Sequence, residues 1–237
     1  MYGSAAVGNK EPNRNDFVEN KPSQQPKHEQ LLDIEAGTRV GFKNVRVSAN
    51  YFAMFYRNQL VLNGEINDVG ATRRINVPAS YRTGVELELD VVPVDWLTLT
   101  GNLVASSNKI VNFREYADFY SSDYSYAGNL LAQTYPQTDI SFSPDLVTYA
   151  QVAVRPLKDL EVALVHKYVS RQYLDNTSAL SRSIDPYSVF DLRINYSLPV
   201  KIPQLTVMAG IYNLFSEKYE TNGYTYGWFE GGERIAV

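Results

Sequence analysis

Residues 81–104 read YRTGVELELDVVPVDWLTLTGNLV. The odd positions Tyr81, Thr83, Val85, Leu87, Leu89 and Val91 form an almost wholly apolar set, and the even positions Arg82, Gly84, Glu86, Glu88 and Asp90 a charged one. Successive side chains of a β-strand point to opposite faces, so this is a strand with one greasy and one ionic face, and its fold depends on which face meets water.

The same alternation recurs along the chain. It predicts nine strands, at 1–8, 31–42, 45–57, 80–92, 97–110, 145–155, 160–171, 187–198 and 205–213. Four connections are short, at 43–44, 93–96 (PVDW), 156–159 (PLKD) and 199–204 (PVKIPQ). The connections between them are long: 9–28, with three prolines, then 61–79, 111–144 and 172–186 are expected to be loops. In an up-and-down antiparallel meander successive connections fall at opposite ends, so strict alternation of short and long gives one tight rim and one elaborated rim. Transmembrane barrels have this asymmetry, and their tilted strands need about 9 to 11 residues to cross the bilayer.

If the apolar face meets lipid, Leu87, Leu89, Val91, Leu97, Leu99, Val152, Val154, Val162, Leu164, Leu192 and Ile194 form the belt. Aromatic girdles then follow at Phe42, Trp96 and Tyr196 toward the tight rim, and at Phe55, Tyr81 and Tyr168 toward the looped rim. The wet face holds Asp33, Glu35, Arg39, Arg82, Glu86, Glu88, Asp90, Glu161, Lys167, Arg171, Asp191 and Arg193, of both signs and open to cross-strand pairing. His166 falls on the greasy face between Leu164 and Tyr168. A bulge or a place near the headgroups would accommodate it.

Composition excludes several functions. The 22 basic and 26 acidic residues give a net charge of -4, without the cationic footprint of a nucleic-acid binder. With no cysteine and only His28 and His166, neither a thiolate or histidine metal site nor a nucleophilic triad is supported, and no cofactor or catalysis is expected. Glu86 and Glu88 belong to the charged wall rather than to a glycosidase pair. The NTS at Asn176 and NYS at Asn195 are too short a pattern to carry weight. No run of about 18 apolar residues predicts a transmembrane helix.

The candidate ligand-binding residues lie in the expected loops. Arg73 and Arg74 offer guanidinium forks to an anionic ligand, or else to lipopolysaccharide phosphates or solvent. Tyr116, Tyr120, Tyr124 and Tyr126, with Phe119, offer rings that stack on a ligand or on one another.

The most specific stretch is VMAGIYNLFSEKYETNGYTYGWFEGG, residues 207–232, with its NLF and following KY. It resembles the C-terminal barrel region of TonB-dependent outer-membrane receptors. The resemblance extends through PKHEQLLDIEAGTRV, YFAMFYRNQLVLNGEINDVGA, VPASYRTGVELEL, TDISFSPDL and KYVSRQYLDNTS, which look like Bacteroidetes-type versions. It implies that residues 1–237 are a single all-β piece, part of the wall of a 22-stranded transmembrane β-barrel, cut at both ends and lacking the plug and the final strand. It further implies an outer-membrane importer of scarce ligands such as iron–siderophore complexes, in contact with lipid and lipopolysaccharide and with TonB through the plug. A passive porin-like channel and a secreted β-sandwich or propeller that binds glycan are the alternatives.

Overall fold

The computed structural model describes residues 1–20, 22, 25–66, 72–198, 205–225, 227–231 and 233–236. Among the described residues it is an all-β, antiparallel meander with one short α-helix and a 3-10 turn at Leu180–Arg182. The strands are β1 (Tyr2–Lys10), β2 (Glu29–Gly41), β3 (Val45–Ile66), β4 (Thr72–Val94), β5 (Leu97–Tyr120), β6 (Tyr126–Asp139), β7 (Leu146–Leu157) and β8 (Leu160–Val169). They continue with β9 (Gln172–Tyr173), β10 (Ser183–Ile184), β11 (Tyr187–Ser197), β12 (Thr206–Ile211), β13 (Gly227–Glu230) and β14 (Glu233–Ala236), and the helix is α1 (Arg14–Glu19). The main sheet runs β1-β2-β3-β4-β5-β7-β8-β11-β12, which is the nine-strand path the alternation predicts.

Register aligns the apolar positions into a band. Val40 faces Val47, Val47 faces Leu89, Leu87 faces Leu103, and Leu99 faces Val152. The band continues from Val152 to Leu164, Leu192 and Ile211. Leu87 and Leu89 are each 45% exposed, and no second layer of described residues covers them. A contiguous apolar surface of this extent is suited to hydrocarbon rather than water. Phe42 and Trp96 are exposed at the tight rim, while Phe55 faces Tyr81 across β3 and β4 at the other, so the girdle residues flank the belt.

The opposite face carries the ions, paired across strands. Arg46 meets Asp90 at 3.5 Å, Arg39 meets Glu88 at 3.9 Å, and Arg155 meets Glu161 at 2.8 Å. Asn50 donates to Glu86 at 3.3 Å and accepts from the Tyr2 hydroxyl at 2.8 Å. The buried Phe52 ring lies across from Gly84, so close that a β-carbon there would sit 2.8 Å from it. The ring fills the space a larger residue would take.

His166 needs no bulge, because the pairs around it, with Ala150 on one side and Phe190 on the other, are in register. Its ring stacks on Phe190, directly opposite, at 4.4 Å, and its Nε2 lies 2.6 Å from the Ser188 hydroxyl. Phe215 meets Phe190 edge-on at 5.3 Å, giving an aromatic cluster at the looped end of the strands, where amphipathic rings suit an interface.

Three of the four short connections are confirmed, at 42–44, 95–96 and 158–159. The fourth, 199–204, lies outside the described residues, and its flanks are closed by a 2.8 Å bond from the Leu198 amide to the Leu205 carbonyl. Two expected loops are corrected. The 61–79 segment is mostly strand, since β3 runs to residue 66 and β4 starts at residue 72. The 111–144 segment is a hairpin, in which β5 continues to Tyr120 and β6 returns along it. Strands of 22 to 24 residues far exceed the bilayer requirement. Beyond the girdle no lipid enforces a greasy face, so alternation fades while the backbone ladder, which needs only a neighbouring strand, continues. The 9–28 segment also holds α1, started by Asn13 and Asp16 in a reciprocal capping box.

In the full-length protein, Leu89→Arg costs about 2 to 4 kcal/mol near the bilayer midplane and lowers the folded, protease-resistant fraction in membranes, whereas Glu88→Arg is milder. Equal losses from the two variants would contradict the face assignment.

Candidate ligand-binding site

Above the girdle, β3, β4 and the β5–β6 hairpin form a projecting sheet held by its own core of Val61, Val77, Ile110, Phe113 and Ile140, with Tyr135 against it. The segment between β8 and β11 folds onto this sheet. Asn176, buried, donates to the Leu62 carbonyl and accepts from the Ser141 amide, both at 2.8 Å. The Ser178 hydroxyl donates to Asp139 Oδ2 at 2.8 Å, and Asp139 also pairs with Lys109. Arg82, on the charged face, donates to the Ser143 hydroxyl in the β6–β7 connection at 3.0 Å, and the crossing bonds to the same connection through Asn176 to Ser141 and through the Tyr173 carbonyl to the Phe142 amide, so it lies on the wet side of the wall. Asp145, in the turn before β7, is pushed above the ordinary carboxylate range by burial first and then by the Asp139 carboxylate, with Lys109 opposing.

The crossing is pinned by a buried ionic group. Arg182 Nη1 reaches Glu115 Oε1 at 3.0 Å and also pairs with Asp175 Oδ2, while the Tyr135 hydroxyl donates to Glu115 Oε2 at 2.8 Å. Glu115 and Arg182 are each less than a tenth exposed. From the other side, β13 adds in parallel to the tip of β5, with Phe229 stacked on Phe119 at 4.6 Å.

These elements enclose a cavity of about 570 Å³, with Phe113, Phe142 and Leu174 as apolar walls and Asn63, Glu115, Asp118, Asn129, Asp175 and Arg182 as polar groups. Gly223, Tyr224, Thr225 and Gly227 border it above. An adjoining cavity of about 710 Å³ is lined by Lys27, Asn58, Arg74, Asn112, Arg114 and Tyr116 among others. Gly64 separates strand from cavity at φ +88°, its α-carbon against the Tyr116 backbone where a β-carbon has no room. Among the described residues no cluster of His, Cys, Asp or Glu has the makings of a metal centre.

The six sequence-derived candidates are distributed unequally. Tyr116 lines both cavities, and Arg74 joins it in the larger one. Arg74 is also held bidentately by Asp16 of α1, at 2.7 and 2.9 Å. Arg73 is buried, lines neither cavity, and its Nε has no hydrogen-bond partner. Tyr120 and Tyr126 pack on each other at 5.4 Å, and the Tyr126 hydroxyl donates to Asp118 at 3.2 Å. Tyr124 stands at the hairpin tip, 73% exposed. The residues that sequence reasoning missed, Asn63, Glu115, Asp118, Asn129, Asp175 and Arg182, come from four separate segments. Only the acidic pair Glu115 and Asp118 among the tyrosines gave any local signal.

The NLF and KY elements acquire physical roles. Asn213 ends its strand at φ 53°, and its side chain accepts from the Glu217 amide at 2.8 Å and donates to the Glu217 carbonyl at 2.9 Å. Phe215 then reaches Phe190, and Tyr219 stacks on Tyr187 at 4.5 Å. The motif closes the strand and directs the chain back over the wall.

Residues 2–214 match the family described as TonB dependent receptor-like, beta-barrel. Comparison with curated protein sequences gives no match. Among solved structures, the siderophore receptor PiuA from Acinetobacter baumannii is similar with a TM-score of 0.70 at 18% identity, over 94% of this chain and 30% of that one. The copper transporter OprC gives 0.69 at 14% identity, over 93% and 32%. The ferric-catecholate import receptor Fiu from E. coli K12 gives 0.63 at 17% identity, over 94% and 29%. The chain therefore spans about a third of each of these structures, and at such identities the likeness establishes the fold.

Arg182→Met leaves Glu115 buried beside Asp175 without their shared cation, at a cost of about 3 to 5 kcal/mol, and opens residues 172–184 to proteolysis. Arg171→Met, which removes the pair with the exposed Asp185, costs about 0 to 1 kcal/mol and leaves the segment resistant. Limited proteolysis with mass mapping compares the two.

Proposed function

Because the chain belongs to the TonB-dependent receptor β-barrel family, we propose that it supplies barrel wall and extracellular ligand-contacting segments of an outer-membrane importer. The ligand is a scarce one such as an iron–siderophore complex, and uptake is energised by TonB acting through a plug domain. The outer membrane of a Gram-negative bacterium is the matching location, with lipid and lipopolysaccharide against the apolar band and girdles.

The supporting observation is the pairing of an exposed belt with a roofed cavity on the wet face above it. A passive channel gains nothing from laying the 170–186 crossing and the β13–β14 hairpin over that face. A soluble glycan-binding sandwich would bury Leu87 and Leu89 beneath a second sheet. Tyr116, Arg74 and the tyrosines around Asp118 are the ligand-contacting residues under this proposal, and Arg73 and Tyr124 are candidates at its margin.

The test is uptake of radiolabelled ferric chelates by cells in which the full-length protein is the sole receptor. Saturable uptake that a protonophore abolishes is expected, and Tyr116→Ala should weaken binding roughly five- to ten-fold through loss of ring contact. Unsaturable uptake that survives the protonophore would show a passive channel instead.

A further inference from the structure

Resting on the importer reading above, we infer that the cavity beneath the 170–186 crossing selects a ligand that carries net positive charge and an accessible oxygen acceptor. Two features of the lining carry the inference independently.

The first is Asp118. Its side chain is in the wall of the cavity and only 8% of the residue is exposed. Its hydrogen-bond donors are the Tyr126 hydroxyl at 3.2 Å and Asn129 Nδ2 at 3.0 Å, both uncharged. No cation among the described residues forms an ion pair with it. Arg182, the guanidinium in the lining, is already shared between Glu115 and Asp175. Among the described residues, the lining thus sets three carboxylates, Glu115, Asp118 and Asp175, against one guanidinium. A desolvated carboxylate without a counter-charge is unfavourable, and a ligand cation that supplies one is favoured over a neutral analogue.

The second is Asn63. It is 2% exposed and borders the same cavity. Its Oδ1 accepts from the Glu65 amide at 3.1 Å, but its Nδ2 has no hydrogen-bond partner. Buried amide donors are nearly always satisfied, so this one is provided for an acceptor that the ligand brings. A cationic group toward Asp118 and a carbonyl or hydroxyl oxygen toward Asn63 together describe the ligand class. The adjoining cavity carries Lys27 and Arg114, so the charge selection is assigned to the Asp118 cavity alone.

The test uses three ferric tris-hydroxamate chelates on one scaffold. One has a free terminal ammonium and one net positive charge, the second is N-acetylated and neutral, and the third is N-succinylated and anionic. Their binding to the purified full-length receptor is measured by fluorescence quenching at low salt. The cationic chelate should bind tightest and the anionic weakest, with roughly ten-fold or more between the extremes. Raising the salt should compress that spread in the unmodified receptor, a readout that needs no variant. Asp118→Asn should abolish the advantage of the cationic chelate over the neutral one. An equal or reversed order, or a cationic preference that survives Asp118→Asn, overturns the charge inference but leaves the importer reading standing. If none of the three binds, the inference and the iron-chelate reading fall together.

Discussion

The pleat of the β-strand is the constraint from which the rest of this structure follows. Because successive side chains must leave opposite faces, a sequence that alternates leucine with glutamate can satisfy both only at a boundary between oil and water. Register then matters more than any single contact. Leu89 opposite Val47, and Leu164 opposite Leu192, extend one residue's preference sideways across the wall. A slip by one position would turn every carboxylate toward the apolar side. The ladder also satisfies the backbone, which hydrocarbon cannot.

Above the girdle the constraint is relaxed, and the protein uses the freedom. The strands continue upward as a water-exposed sheet, and the crossing segment and terminal hairpin are laid against it by hydrogen bonds from Asn176 and by ring stacking at Phe119. Polar groups that the wall would not tolerate on its outer side are gathered here on the wet side. Glu115, Arg182 and Asp175 form a buried ionic group that makes the geometry of the crossing specific. The cavity exists because three non-neighbouring stretches are tied at these few points.

The parts that were legible in the sequence are those where a solvent boundary imposes periodicity. Residues 80–110 were read with their faces and nearly their ends, because lipid on one side and water on the other leave a period-two imprint. The 111–144 segment reads as a loop in sequence because Tyr116, Phe119 and Tyr120 obey no fixed alternation once both faces are wet or protein-covered. Even so, their backbone pairs along most of its length. His166 looked misplaced because its partners Phe190 and Ser188 lie 22 or more residues away and are brought near only by register. The site was less legible still. Tyr116 was singled out as an aromatic, but Asn63, Asp118 and Arg182 acquire meaning only through contacts between distant segments. The bidentate hold of Asp16 on Arg74 was likewise hidden, although the capping box that positions Asp16 is written in the sequence as Asn13 and Asp16.

The central claim is that the odd-numbered face of residues 81–91 meets hydrocarbon and the even-numbered face meets water. Its most direct test is a nitroxide scan of these positions in the full-length protein reconstituted in bilayers, with collision rates measured for oxygen and for a water-soluble nickel chelate. The account predicts a period-two oscillation in antiphase, with oxygen maxima at Val85, Leu87 and Leu89 and nickel maxima at Glu86, Glu88 and Asp90. Low collision rates with both reagents at the leucines would mean that protein covers them, and an inverted phase would put water where hydrocarbon is claimed; either result contradicts the account.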